Sequence, residues 1–359
     1  MVNNTLIILD NVESLERVIE RGCYSPRFSM GDDGNARWRL GHRKATADLG
    51  CLQPGGHVYL FASRGIHGIG ILSDPPVILN HPRALENDPG RHDGVLPGIR
   101  LPEHRFVVRL DPERSRWFAD PVDMDDVLTA GGTSMYALRT MEDRSFAVFD
   151  ETEDRAFEQE LRLRNPALAR RTGGAPPGGS PLSVPHLSQA VQRTDELAIE
   201  TDLAWRLNRG EDLPALAGPW DSALRQVTAS PPKPVSYIDR IDLLARRFEA
   251  SGRFVREHAV IEVKKGRATK KDAEQLMRYV DWVVDEYHHG HYERVSAYLV
   301  AEEFGPRLAN DLPEVARRLF TVDPRRPRAR VWDSLTLVSA ERQPADGSYA
   351  YERTHSLAD

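Results

Sequence analysis

A stretch of low complexity near the middle of the chain most limits what this sequence can fold into. Ten of the fifteen residues in 171–185 are Gly, Pro or Ser. Such a stretch buries too little apolar surface to fold alone, so it is typical of a linker or a long exposed loop. We therefore predict a first domain at 1–150, a linker region at 151–190, a second domain at 191–340 and a polar tail at 341–359. A length of 359 residues allows two separate cores.

Composition excludes several classes of protein. Hydrophobic residues make up 40% and charged residues 28% of the chain, which is ordinary for a globular protein. The apolar run Leu6–Leu9 is too short for a signal-peptide core and lacks a basic flank, so we expect a cytoplasmic protein without a membrane span. Cys23 and Cys51 are too few for a disulfide framework or a zinc site. A net charge of -6 argues against coating DNA through bulk positive charge, but allows a local basic patch.

The N-terminal part is predicted to be rich in β-strands. The runs 58–62 and 68–72 are short and β-prone, and Ser63-Arg64-Gly65 between them is typical of a hairpin turn. A third strand is predicted at 106–110, and helical spacing predicts a short amphipathic helix at 14–20. This mixture favours a small barrel or half-barrel with a few helices.

The C-terminal part alternates between helix and strand patterns. The clearest element is an amphipathic helix at 269–287, with Thr269 as N-cap and Asp272 three residues later in a capping-box position. Its predicted buried stripe is Ala273, Leu276, Met277, Val280, Val283 and Val284. The order of elements predicts an α/β core: helix 194–207, strands 238–244 and 259–263, helix 269–287, strand 295–300, helix 306–319 and strand 330–338.

Three charged residues interrupt the apolar strands of this core. Asp242 lies in the run Ile241–Leu244, and Glu262 and Lys264 alternate with apolar residues in the next strand. A carboxylate in such a strand costs several kcal/mol unless it is paired or binds a metal. Alternation puts Glu262 and Lys264 on one face of the strand, which Asp242 can reach from its neighbour. The sequence therefore predicts a site for a hard cation beside an ammonium group.

Such a site suits phosphodiester hydrolysis. Mg²⁺ or Mn²⁺ needs few carboxylate ligands when a substrate phosphate completes its shell, and Lys264 is placed to orient or deprotonate the attacking water. The alternative is a set of ordinary solvated ion pairs on a half-exposed sheet. The second face of the following helix supports the first interpretation, because it carries polar and aromatic groups at helical spacing: Lys271, Gln275, Tyr279 and Trp282.

These motifs, in this order, resemble the catalytic domain of the NucS (EndoMS) endonucleases in the PD-(D/E)xK superfamily, over roughly residues 190–340. The resemblance implies an α/β fold in which a restriction-endonuclease-like mixed sheet is flanked by helices. It also implies a DNA endonuclease that depends on Mg²⁺ or Mn²⁺. Carried over by position, its metal ligands are Asp242, Glu262 and the Val263 carbonyl, its catalytic lysine is Lys264, and Gln275 lies beside the site. Its upstream helix glutamate best matches Glu200, with Glu196 as the rival.

Basic residues cluster just after the second strand of the site. At its mouth they are candidates for binding nucleic-acid phosphates, with Tyr279 adding a hydroxyl. The alternative is a solvated loop and helix start. The candidates are Lys265, Arg267, Lys270 and Lys271.

The N-terminal region departs from NucS and resembles the PUA-like superfamily, which includes EVE, YTH and ASCH domains. The similarity lies in residues 54–63 and 65–72. It implies a β-rich PUA-like α+β domain that holds a nucleobase, sometimes a modified one, in an aromatic pocket. Core packing is the competing interpretation for each aromatic candidate. The candidates are Trp38, Tyr59, Phe61 and Trp117.

Together these features predict a metal-dependent DNA endonuclease acting in modification-dependent restriction or phage defence. A mismatch-specific or structure-specific repair nuclease is the alternative within enzymes, and a non-catalytic nucleic-acid-binding protein is the alternative outside them. RNA as the substrate stays open. A homodimer is expected, because cutting both strands usually needs two active sites. The motif His288-His289-Gly290-His291 follows a predicted helix end and has no evident metal-binding partner.

Overall fold

The computed structural model describes residues 3–9, 11–25, 40–79, 105–130, 135, 138, 146–149, 151–165, 180–181, 196–229, 239–252, 254–322, 325 and 328–357. The chain divides into two compact units, Val2–Gln192 and Arg193–Asp359, which we call the N-terminal and C-terminal units. Both mix helices with sheets, so the prediction of an α/β chain with a β-rich first part is confirmed at that level. None of the described helices has the length and apolar character needed to cross a membrane.

The described residues of the N-terminal unit form two sheets. A five-stranded sheet has the order β7-β4-β3-β1-β8, and a four-stranded sheet has the order β2-β6-β5-β9. Its strands are β1 Asn4–Ile8, β2 Cys23–Tyr24, β3 His57–Ala62, β4 Gly65–Ile71, β5 Val77–Leu79, β6 Arg105–Arg109, β7 Arg116–Asp123, β8 Phe146–Phe149 and β9 Ser180–Pro181, and its helices are α1 Val12–Arg21, α2 Leu40–Leu49, α3 Met124–Ala130 and α4 Glu151–Arg164.

The hairpin predicted between β3 and β4 is present. Ser63 and Arg64 both have positive φ, 49° and 61°, as a two-residue turn of the type favoured between twisted antiparallel strands requires. Strand β7 packs closely against β4 at Gly68, because a Cβ at this position would lie 2.5 Å from the Trp117 ring of β7. The predicted strand at 106–110 and helix at 14–20 correspond to β6 and α1.

Three features of this unit differ from the expectations. Residues 151–164, expected to begin the linker, form α4, because Phe157 and Leu161 at i and i+4 give it a stripe that is fully buried. Ser180–Pro181, inside the low-complexity stretch, pairs with β5. Within the described ranges the strands form two open sheets, and no closed barrel is seen.

The C-terminal unit is built on one six-stranded mixed sheet of order β10-β11-β12-β13-β16-β17. The pairs of β12 with β13 and of β13 with β16 are parallel, and the other pairs are antiparallel. Its strands are β10 Ser222–Thr228, β11 Arg240–Phe248, β12 Val255–Ala268, β13 Val295–Phe304, β14 Arg318–Thr321, β15 Ala329–Trp332, β16 Leu335–Arg342 and β17 Tyr349–Ser356, and its helices are α5 Glu196–Leu207, α6 Lys270–His288 and α7 Leu308–Ala316.

Helix α6 makes the long crossover between the parallel strands β12 and β13. Its start is fixed by the Asp272 carboxylate, which accepts a hydrogen bond of 2.7 Å from the Thr269 backbone N–H. All six residues of the predicted apolar stripe are buried in the core that α6 shares with the sheet. The helix ends where His289 and Gly290 take positive φ, 50° and 90°.

The end of the chain differs from the prediction. The helix predicted at 306–319 ends at Ala316, and Arg318–Thr321 instead pairs with Ala329–Trp332 as a separate two-stranded ribbon. The single strand predicted at 330–338 is therefore two strands, β15 and β16. The expected polar tail at 341–359 contains β17, an edge strand of the large sheet. Its middle residues are exposed, so the sequence lacks the apolar alternation of an inner strand.

Candidate active site

Strands β11 and β12 bring the two predicted carboxylates together. The pairing of Leu243 with Ile261 sets Asp242 beside Glu262. Asp242 Oδ2 accepts a hydrogen bond of 2.9 Å from the Val263 backbone N–H. Burial, followed by the charge of Glu262, raises the pKa of Asp242.

Glu262 is the most buried acidic group of the site. Its side chain is 1% exposed. Oε1 accepts hydrogen bonds from Lys264 Nζ at 2.7 Å and from Gln275 Nε2 at 2.8 Å. Oε2 is buried and has no hydrogen-bond partner among the described residues. A buried carboxylate oxygen without a donor is costly, so this atom requires an explanation.

Helix α6 contributes two residues to the site from its first half. Gln275 Nε2 also donates to the Tyr279 hydroxyl at 2.8 Å, so the amide links Glu262 to the helix. Tyr279 is buried against the sheet. Surface placement, the alternative for this residue, does not hold, and its predicted contact with nucleic acid stays a prediction.

Helix α5 directs two glutamates toward the same site. Glu200 Oε2 forms a buried ion pair of 2.6 Å with Arg225. Glu196 is one turn earlier on α5, and its Oε1 accepts from the Lys265 backbone N–H at 3.3 Å. The charges of both glutamates contribute to raising the Glu262 pKa. The geometry thus brings Glu200 and its rival to the site together, and the preference for Glu200 stays a prediction.

Gln226 is a site residue that the sequence interpretation missed. Its Nε2 lies 3.3 Å from Glu200 Oε2 and 3.2 Å from Asp242 Oδ1, so one amide bridges two carboxylates. The residue has φ 55° and interrupts the pairing of β10 with β11. A left-handed conformation is unfavourable for a residue with a Cβ, and such strain is frequent at functional sites. The sequence signal was a polar pair, Arg225-Gln226, between the apolar residues Leu224 and Val227.

The electrostatics of the site reflect a surplus of buried negative charge. Burial, followed by the charges of Glu262 and Glu200, raises the Asp242 pKa well above its ordinary value. Burial also raises the Glu262 pKa to about 7, despite the adjoining ammonium. For Lys264, burial alone lowers the pKa, but the Glu262 carboxylate reverses the sign and leaves the pKa above its ordinary value.

These residues fit a hard divalent cation. The donor set consists of carboxylate oxygens, which Mg²⁺ and Mn²⁺ prefer. The buried Glu262 Oε2 lacks a donor among the described residues, and a cation beside it would supply the missing positive charge. The raised pKa values of Asp242 and Glu262 also indicate that positive charge is missing from the site. A nearby cation would favour the ionised carboxylates and so lower both pKa values. The role of the Val263 carbonyl as a further metal ligand stays a prediction.

The predicted phosphate-binding residues lie at the end of β12 and the start of α6. Lys265 and Lys271 are exposed. Arg267 pairs with Glu303 at 3.1 Å, and Lys270 pairs with Glu314 at 2.9 Å. Because both pairs are on the surface, they are weak, and a phosphate can compete for either cation.

The aromatic candidates of the N-terminal unit lie in its core. Tyr59 packs against Phe149 and Phe157, and its hydroxyl donates to Asp154 at 2.7 Å. Phe61 and Trp117 are also buried, so core packing accounts for all three rings. Trp38 lies outside the described residues.

A second group of potential metal ligands lies in the N-terminal unit. His57, Asp154 and Glu158 each offer one ligand atom, and these atoms lie within 4.8 Å of one another. Both carboxylates already accept hydrogen bonds, Asp154 from Tyr59 and Glu158 from Arg162. Unlike Glu262 Oε2, none of their oxygens is among the buried atoms without a hydrogen-bond partner in the described part of the chain.

Comparisons with known proteins identify no family. No family model matches the chain, and no curated protein matches it. Similar solved structures include a hypothetical protein from Leishmania major, with 12% identity and a TM-score of 0.33 over 46% of this chain and 98% of that one. Human THYN1, in complex with 5-methylcytosine-containing DNA, has 13% identity and a TM-score of 0.30 over 44% and 97%. A protein from Agrobacterium tumefaciens has 17% identity and a TM-score of 0.27 over 50% and 100%. Likenesses at these TM-scores carry no inference about function.

Proposed function

We propose that this chain is a divalent-metal-dependent DNA endonuclease whose C-terminal unit hydrolyses phosphodiester bonds. One observation carries the proposal: the buried Glu262 carboxylate lies beside Asp242, with an ammonium 2.7 Å from one of its oxygens and no donor among the described residues for the other. Ordinary solvated ion pairs would not leave a buried carboxylate oxygen without a partner.

Asp242 and Glu262 are the residues that would hold Mg²⁺ or Mn²⁺. When bound, such a cation supplies positive charge opposite a substrate phosphate and acts as a Lewis acid toward water. The Val263 N–H orients Asp242 through its hydrogen bond to Oδ2. Gln275 holds Glu262 through Oε1 and leaves Oε2 open to a ligand.

Lys264 acts as a cation in this scheme. Its pKa is above the ordinary value because of Glu262, so the ammonium keeps its proton at neutral pH. It can orient the attacking water and stabilise the negative charge that develops on the phosphate, but it is a poor base. In the reaction the water oxygen bonds to phosphorus, one ester P–O bond breaks, and the leaving sugar oxygen takes a proton.

The cellular role that we propose is modification-dependent restriction or phage defence, with the N-terminal unit recognising a feature of the DNA. The resemblance of the catalytic motifs to NucS favours a second candidate, a mismatch-specific or structure-specific repair nuclease. Cleavage of plain, 5-methylcytosine-containing and mismatched duplexes of one sequence, with Mg²⁺ or Mn²⁺, separates the two. Preferential cutting of the mismatched duplex would refute the restriction role.

The catalytic proposal is tested with Asp242→Ala and Lys264→Ala. Each variant removes a group that contacts the reacting atoms, so cleavage should fall by at least about 100-fold, with duplex binding changed less than about threefold. Asp285→Ala is the matched control, because Asp285 is an exposed acidic residue in the second half of α6 and should leave both properties unchanged. Cleavage at the wild-type rate in either site variant would refute the assignment.

A further inference from the structure

The ribbon formed by β14 and β15 belongs to a strongly basic segment of the C-terminal unit. Residues 317–332 contain six arginines and one acidic residue, in a chain whose net charge is -6. Such a concentration of one charge is unfavourable unless the segment serves a partner of opposite charge. The arginines are Arg317, Arg318, Arg325, Arg326, Arg328 and Arg330.

The base of the ribbon is fixed to the unit by one of these arginines and by a tryptophan. Arg318 binds both carboxylate oxygens of Asp281 on α6, at 2.9 and 3.0 Å. Tyr292 donates a third hydrogen bond to the same carboxylate. Trp332 is buried and donates to the Val295 carbonyl at 2.7 Å. Phe320 packs against the Tyr292 ring on the same side, so the ribbon presents its other face to the surface.

The outer face of the ribbon is apolar and exposed. Leu319 and Val331 are directly opposite in the register and are 74% and 50% exposed. Arg317, Arg328 and Arg330 are also exposed. Among the described residues none of these three guanidinium groups has a carboxylate partner. Strand alternation puts Arg330, which is paired with Phe320, on the opposite face from Leu319 and Val331, so the exposed cations flank this aliphatic pair on both faces of the narrow ribbon and are open to an external anion.

Duplex DNA matches this combination. The major groove admits a two-stranded β-ribbon, and aliphatic side chains there contact thymine methyl groups. Arginine binds phosphate in a bidentate manner and is less strongly hydrated than lysine, so it suits a phosphate-lined surface. A bilayer surface offers no groove for a ribbon. Binding to an acidic protein would use the arginines but would not require the narrow, exposed pair of Leu319 and Val331 between them.

The ribbon is close enough to the carboxylate site for one duplex to contact both. The ribbon's Trp332 is anchored to the Val295 carbonyl, and Val295 pairs with His258 on β12. His258 is four residues before Glu262 on that strand, a distance of roughly 13 Å. On α6 its other anchor, Asp281, follows Gln275 by six residues, or about 9 Å. A spacing of about 13 Å corresponds to roughly four base-pair steps of 3.4 Å.

We propose that the β14–β15 ribbon is a second DNA-binding element, which holds the duplex a few base pairs from the phosphate cut at the carboxylate site. This proposal rests on the proposed function in naming DNA as the partner. Its cations lie outside the catalytic residues, so binding and cutting can be tested separately.

The test compares three full-length proteins: wild type, the triple variant R317Q/R328Q/R330Q, and the charge-preserving triple variant R317K/R328K/R330K. Anisotropy of a fluorescein-labelled 30-base-pair DNA duplex is measured from 50 to 200 mM KCl without divalent metal. Losing three phosphate contacts should reduce the slope of log K against log salt by about 2.7 in the glutamine variant. The lysine variant should keep the wild-type slope, as should R353Q on the edge strand β17.

An unchanged slope in the glutamine variant would refute the ribbon proposal, even if the enzyme cuts DNA. A reduced slope in a protein that never cuts DNA would support the ribbon and refute the nuclease. If the slope changes only with an RNA duplex of the same sequence, RNA replaces DNA as the partner and the proposal is wrong. Thermal unfolding of each variant, expected within about 2 °C of wild type, excludes loss of fold as the cause.

Discussion

At the scale of single residues, the site depends on which buried charges have partners. Glu200 and Glu262 each accept their hydrogen bonds on one oxygen, but only in Glu262 is the other oxygen, Oε2, among the buried atoms without a partner in the described part of the chain. This difference separates a carboxylate ready for a ligand from one that positions its neighbours. It also explains why several acidic side chains can be buried together while the free protein still folds.

Much of the site could be predicted from residue patterns. Asp242, Glu262 and Lys264 were found because charged residues inside apolar strands are costly, and Gln275 because it lies on a helix face that follows directly. Arg225 and Gln226 were not found. Their placement depends on an irregular pairing of β10 and a positive φ at Gln226, which neither propensity nor alternation encodes.

Gln226 provides a prediction at this scale. Gln226→Gly removes about 1 kcal/mol of backbone strain but also removes two hydrogen bonds to carboxylates, so the free energy of unfolding should change little. Cleavage should fall about tenfold, because Asp242 and Glu200 lose the amide between them. Urea unfolding and initial cleavage rates measure the two effects.

Ala217→Gly is the control for Gln226, because Ala217 has a similar φ of 59° in an exposed turn. It should gain about 1 kcal/mol of stability without any change in cleavage. If Gln226→Gly cuts DNA as fast as wild type, the amide has no positioning role.

At the scale of elements, periodic patterns predicted the interior well and the edges poorly. Helix α6 has both the cap and the stripe expected of it, and β12 has the predicted alternation around Glu262. Strand β17 and the β14–β15 ribbon were missed, since their exposed faces carry polar or basic residues and their pairing partners are distant in sequence. Such segments become strands because of their tertiary contacts, which the local sequence pattern does not show.

The end of α6 gives a prediction on pH. His288 is buried against His258, with 2.8 Å between their ring nitrogens. Burial lowers the His288 pKa to about 4, and burial, His288 and Arg246 lower the His258 pKa well below its ordinary value. The folded state therefore prefers the neutral rings. Other charged groups near His288 are Arg294, His291, Glu293 and His289.

Because the unfolded chain binds these protons near pH 6.5, stability is fully present above that pH and is lost as pH falls toward 4. The shift of His288 alone corresponds to about 3 kcal/mol. Urea unfolding at pH 7.5, 6 and 5 should show a smaller loss in His288→Gln than in wild type. His355→Gln, a partly exposed control on β17, should follow wild type. If the free energy of unfolding falls equally with pH in His288→Gln and in wild type, the buried His288 is not the source of the acid sensitivity.

At the scale of the whole molecule, the chain divides into two compact units, and the low-complexity stretch lies inside the N-terminal one. The division falls after Gln192, and α4 and β9 belong to the N-terminal unit. A negative net charge does not argue against the proposed DNA binding, because residues 317–332 carry six arginines and one acidic residue. The expected homodimer stays a prediction, and so does the recognition of a modified base by the N-terminal unit.

The most direct test of the account is anomalous diffraction from crystals of the full chain grown with Mn²⁺. We predict an Mn²⁺ peak in contact with the carboxylates of Asp242 and Glu262, which is lost in Glu262→Gln. Density for Asp242 and Glu262 with no ion between them, or a peak of equal height in Glu262→Gln, would contradict the claim that this site binds a catalytic cation.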